Sequence, residues 1–118
     1  MALVADGLTE SFNRVYAQHG LADIFEVRSI SEERGCHKPA CEMFQYALDE
    51  MHLTEEDKPR IMMVGNNLER DIVGANRFGI ISVLETWSPR YRMEPQCEEE
   101  VPDYRIGRID RLMELFEI

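Results

Sequence analysis

A chain of 118 residues carrying a net charge of −10 is poorly suited to an electrostatic grip on nucleic acid or anionic lipid, and its 44% hydrophobic and 31% charged residues fit one ordinary globular domain with a modest core. No apolar stretch approaches the roughly 20 residues needed to span a bilayer, and no basic region followed by an apolar core opens the chain. Cys36, Cys41 and Cys97 lack the spacing of a disulfide framework, so a cytoplasmic protein with reduced thiols is expected.

The first element, "MALVA" (1–5), reads as a short strand closed by the turn "DG". From Thr9 to His19, Phe12, Val15 and Tyr16 give helical apolar spacing, and Gly20 marks the stop. "DIFEVR" (23–28) predicts a short strand and "SISEERGCHKP" (29–39) a polar loop. Beyond Pro39, which suits a first helical position, Ala40, Met43, Phe44, Ala47, Leu48 and Met51 fall on one continuous helix face.

"EEDKPR" (55–60) separates that helix from the strand "IMMVG" (61–65). Asn67 can then cap a helix over 68–78, which Gly79 ends. "IISVLE" (80–85) reads as a buried strand, 86–102 as a long polar loop and "DYRIG" (103–107) as a last short strand. Ile109, Leu112, Met113 and Phe116 predict a closing amphipathic helix.

Strands alternating with helices predict an α/β, doubly wound (Rossmann-like) parallel sheet with helices on both faces. Ligands of such sheets bind at the carboxyl ends of the strands. Three polar turns occupy such positions: Asp6-Gly7, the stretch from Cys36 to Pro39, and Asn66-Asn67.

Each turn offers candidate chemistry beside a plainer reading. Lys38 can neutralise a phosphate or a carboxylate nucleophile as a point charge, or it is a solvated loop lysine. Asn66 and Asp71 can give oxygen ligands to magnesium, although a neutral amide oxygen holds a hard cation less strongly than a carboxylate. The alternative is that Asp71 favours the helix N-terminus electrostatically and Asn67 is only the cap. Asp6 can bind an anion through its backbone N–H, while Ala5 before it has no hydroxyl to add. Cys36, His37 and Cys41 fall within six residues, but no second ligand pair follows at zinc-finger spacing. His19 and His52 close helices and have no visible catalytic partner.

Together these turns resemble the second, third and fourth motifs of the haloacid dehalogenase (HAD) superfamily of aspartyl-nucleophile phosphohydrolases. "MALVADG" is similar to the second, "HKPACEMFQYAL" to the third, and "IMMVGNNLERDIVGANRFGIISV" to the fourth; the closing "PDYRIGRIDRLMELF" resembles the family's last strand and helix. The resemblance implies that Lys38 stabilises the nucleophile and phosphoryl intermediate, that Ala5, Asp6 and Asn67 lie against the phosphate, and that Asn66 and Asp71 stand at the magnesium positions. Two positions depart from the pattern: Ala5 replaces the phosphate-binding hydroxyl, and Asn66 replaces the usual metal-binding aspartate.

The family's nucleophile belongs to an Asp-x-Asp motif, which does not occur here. Residues 1–118 therefore read as a partial HAD-like core domain, without its first strand and cap. The implied function is part of a magnesium-dependent phosphatase acting on a small phosphorylated substrate. A catalytically degenerate binding or regulatory module, or a fragment without function of its own, is the competing reading. Neither nucleic acid nor membrane is an expected partner. Strands deprived of a central neighbour predict a homodimer or pairing with the missing N-terminal half.

Overall fold

The computed structural model describes residues 1–21, 23–87 and 90–116. The chain divides into two compact units, Met1–Glu56 and Asp57–Ile118. Both are α/β units built on parallel strands.

In the first unit, β1 (Ala2–Ala5) and β2 (Val27–Ile30) pair in parallel, with α1 (Thr9–His19) as the crossover between them. The register sets Ala5 opposite Ile30, so the residues just after the two strands emerge side by side. Helix α1 ends at Gly20, whose left-handed φ of 66° lets its N–H reach the Tyr16 carbonyl. Of the expected apolar face only Tyr16 is buried, where it stacks on Phe25, while Val15 is 46% exposed.

The second strand begins later than "DIFEVR" suggests, because Ile30 (fully buried) and not Ile24 (44% exposed) fills the core. The segment read as a polar loop contains α2 (Ser31–Arg34), closed by Gly35 at φ 73°. Helix α3 (Cys41–Glu50) starts one residue after Ala40, so Pro39 lies outside it rather than at its first position. Its predicted face holds: Met43, Phe44, Ala47 and Leu48 are buried, and Ala40 and Met51 flank them half-buried. The buried Ser29 donates its hydroxyl to the Met43 carbonyl at 2.7 Å, satisfying a polar group that would be costly alone.

A 3₁₀ turn, Glu55–Arg60, replaces the expected plain separator and crosses the division between the units. In the second unit, β3 (Met62–Gly65), β4 (Ile81–Glu85) and β5 (Tyr104–Ile106) form a parallel sheet in that order, Gly65 facing Leu84 and Glu85 facing Ile106. Val83 and Leu84 are fully buried, as expected of a strand covered on both faces.

The helix after β3 is not uniform. It opens with a π-type turn, Leu68–Ile72, and continues as α4 (Val73–Phe78) to Gly79. Leu68, Ile72 and Leu84 form the local core, with Met93 packed against it. Of the stretch expected to be a loop over 86–102, residues 88 and 89 lie outside the described residues and the remainder includes a 3₁₀ turn, Glu98–Glu100. The closing helix is a 3₁₀ turn, Ile109–Arg111, running into α5 (Leu112–Leu115). Among the described residues no helix is long and apolar enough to cross a membrane.

Candidate active site

In the first unit, the Asp6 and Lys38 turns are brought together. The Asp6 carboxylate accepts the backbone N–H of Lys38 at 3.0 Å and lies 3.8 Å from His37 Nδ1. The Lys38–Pro39 peptide bond is cis. Gly7 donates its N–H to Ser31 Oγ at 2.8 Å, and that hydroxyl faces the Gly7 carbonyl at 3.3 Å. Both bonds follow from the parallel register, which delivers residues 6 and 7 next to Ser31. Gly7 has φ 151°, and a Cβ there would stand 3.0 Å from the Phe12 ring, so the turn requires glycine. Ala5, the last residue of β1, is half-buried and adds no hydroxyl.

In the second unit, Asp71 organises the turn after β3. Its buried Oδ2 accepts the N–H groups of Asn66 at 3.1 Å and Asn67 at 3.2 Å. Asn67 is the cap expected from the sequence: its Oδ1 accepts the Arg70 N–H at 3.1 Å. The π-type turn arises because Asn67 O accepts the N–H of both Asp71 and Ile72. A Cβ on Gly65 would lie 2.5 Å from Asp71 Cγ, so this close approach of carboxylate to backbone needs the glycine. The backbone N–H groups of Asn66 and Asn67 are thus directed at Asp71, and Asn67 has its side-chain oxygen engaged as well.

A magnesium ion takes oxygen ligands and keeps several waters. Asn66 and Asp71 both carry side-chain oxygens of that type, and the Asn66 backbone N–H is bonded to Asp71 Oδ2. They fit a hard cation in chemistry while offering one negative charge between them.

Three features escaped the sequence reading. Arg92 makes a paired bond to the buried Glu100 carboxylate, Nη1 to Oε1 at 2.8 Å and Nη2 to Oε2 at 3.0 Å, and reaches Glu69 at 3.2 Å. The Arg92 hydrogen bonds, aided by the Gln96 N–H, hold the Glu100 carboxyl down at about 2, and the same bonds raise the Arg92 pKa. Tyr91 and Arg92 line a cavity of about 90 Å³ with Asn67, Leu68 and Glu69. Glu85, at the carboxyl end of β4, is 6% exposed, and its Oε2 has no hydrogen-bond partner among the described residues. Long-range pairing of this sort leaves no periodic trace in a sequence.

Parallel strands with glycine and carboxylate turns at their carboxyl ends place these residues where open α/β sheets bind ligands. The HAD-hydrolase-like family profile matches residues 35–86. The chain is 33% identical over 96 residues to a glyceraldehyde 3-phosphate phosphatase of Methanopyrus kandleri, covering 81% of this chain and 40% of that protein. It is 32% identical over 107 residues to a phosphoserine phosphatase of Thermus thermophilus, covering 91% and 40%. The solved structure of the magnesium-bound HAD-hydrolase YfnB of Bacillus subtilis matches at a TM-score of 0.79 and 20% identity, over 99% of this chain and 48% of that one. The chain belongs to the haloacid dehalogenase superfamily and has its Rossmann-like α/β fold. It spans less than half the length of the relatives named here.

Proposed function

We propose that this chain is the part of a HAD phosphatase that contributes the lysine, the second-motif turn and the fourth-motif acid to hydrolysis of a small phosphate monoester. The observation that carries the reading is the bond from Lys38 N–H to Asp6 Oδ1. It holds the Lys38 backbone beside Asp6, the residue directly after β1, and so supports assigning this lysine to the strand end where this fold class binds ligands. Phosphatase relatives matched over 81% and 91% of the chain support it.

In this reading residues 1–118 act as one partial core domain. The Lys38 ammonium offsets charge on the phosphoryl group and on the attacking carboxylate. Within the first unit the turn at Ala5 and Asp6 borders the phosphate, and within the second Asn67 is the residue assigned to phosphate contact. The attacking aspartate is supplied from outside these residues, since none of their aspartates lies in an Asp-x-Asp pair. Asn66 would hold magnesium directly and Asp71 through water; bound there, the ion would add positive charge at the phosphoryl oxygens. The three free thiols suit a reducing cytoplasm.

A second reading, a catalytically degenerate binding or regulatory module, is favoured by Ala5 and Asn66. The test is magnesium-dependent hydrolysis of an aryl phosphate by the full-length protein, with Lys38→Ala as control. Turnover lost in the variant supports the phosphatase; a folded full-length protein without turnover supports the binding module.

A further inference from the structure

An open cleft of about 410 Å³ in the first unit is lined by Gly7, Leu8, Ser31, Glu32, Gly35 and His37. Its position is informative: Gly7 and His37 are the chain neighbours of Asp6 and Lys38, which are themselves hydrogen-bonded. A phosphate bound at the Asp6 and Lys38 turns would adjoin this cleft, because the cleft is lined by the residues next to them in the chain. The volume lies in the range of small-molecule sites, roughly 300–1,000 Å³.

The lining limits what fits. Ser31 Oγ is engaged with both the N–H and the carbonyl of Gly7, so it shapes the wall rather than binding a guest. Glu32 is exposed and presents a carboxylate. His37 is the one lining group that can become cationic, and the Asp6 carboxylate 3.8 Å away already balances it. Leu8, 61% exposed, offers a short apolar surface. The cleft thus has acceptors and an apolar wall but no uncompensated positive charge.

We propose that this cleft receives the organic part of the phosphate monoester, and that Glu32 selects hydroxyl- or amino-bearing groups against anionic ones. The proposal rests on the phosphate-binding reading of Asp6 and Lys38, and its test separates the two. Amide resonances of the ¹⁵N-labelled full-length protein are followed during titration with inorganic phosphate, then with phosphoethanolamine, glycerol 3-phosphate and 2-phosphoglycolate.

Inorganic phosphate should shift the Asp6 and Lys38 amides. The esters should shift Leu8, Glu32 and His37 in addition, with phosphoethanolamine bound about two- to fivefold more tightly than phosphoglycolate, the range of an exposed charge pair. Glu32→Gln should narrow that ratio towards one while leaving the inorganic phosphate response intact. If phosphate shifts Asp6 and Lys38 but the esters add nothing at Leu8, Glu32 and His37, or the ratio survives in Glu32→Gln, the cleft assignment is overturned and the phosphate site stands. If phosphate itself leaves Asp6 and Lys38 unmoved, both fall.

Discussion

Gly65 and Asp71 occupy mutually dependent positions: a side chain on Gly65 would begin 2.5 Å from Asp71 Cγ and 2.7 Å from its Cβ, in the space through which the carboxylate reaches the Asn66 and Asn67 N–H groups. The end of β3 and the first turn of the following helix are joined through that single buried carboxylate. Gly65→Ala must push Asp71 away and strand both N–H groups. We expect a loss of about 1–3 kcal/mol, the usual range for a forced core contact or a lost buried hydrogen bond. Asp71→Ala should cost a similar amount, and the double variant less than the sum, because both changes break one arrangement. Denaturant titration of the four proteins checks this; additive losses would show that the two residues act independently.

A pH effect follows from Glu100. Its folded carboxyl titrates at about 2, against about 4.3 for an unperturbed glutamate. A depressed pKa contributes stability that is complete above the unfolded value and disappears as pH falls through the folded one. Thermal melts should therefore lose this contribution between roughly pH 5 and pH 2. In Glu100→Gln the contribution is already missing at neutral pH, so its melting temperature should start lower and fall less on acidification. Identical pH profiles for the two proteins would remove Glu100 as the source.

Much of this arrangement was legible in the sequence, and the limits have physical causes. The α3 face was readable because Met43, Phe44, Ala47 and Leu48 repeat with the helical period and are buried in one core. The Asn67 cap was readable because capping is a three-residue interaction. The start of β2 was not, since Ile24 and Ile30 are equally apolar on paper and only packing chooses Ile30. Helix α2 is a single turn, too short for periodicity to register. The Arg92–Glu100 pair joins two side chains across 8 positions and the Asp6–Lys38 bond joins side chain to backbone across 32, where local pattern carries no information.

Asn66→Asp is the direct probe of the metal position. The new carboxylate would stand beside Asp71, whose Oδ2 is 3.1 Å from the Asn66 N–H. Without magnesium the two like charges should repel and lower the melting temperature. With millimolar magnesium the variant should gain more stability than the parent, because a ligand that binds only the folded state stabilises it by mass action and a carboxylate raises affinity for a hard cation. Melts with and without magnesium, with calcium as a second cation, give the comparison. An equal magnesium response in both proteins would mean that residue 66 does not face the ion.

The last expectation concerns the sheet edges. Within the first unit β1 is hydrogen-bonded to β2, and within the second unit β3 is hydrogen-bonded to β4, each on one side. All four residues of β1 and all four of β3 are only half-buried, whereas Val83 and Leu84 on the neighbouring β4 are fully buried. Leu3, Val4, Met62, Met63 and Val64 therefore keep apolar surface exposed on strands that, among the described residues, have a strand partner on one side only. Such edges template pairing with another chain, and exchange of an element between copies is a low-cost route to a dimer. Sedimentation of the 118-residue chain at micromolar concentration should show a dimer or larger species that weakens on dilution. Met63→Lys, which sets a charge on the β3 strand, should shift the distribution towards monomer, since edge lysines oppose strand addition. A single monomeric species with a cooperative melt, unchanged by Met63→Lys, would show that these strands are adequately covered as they stand.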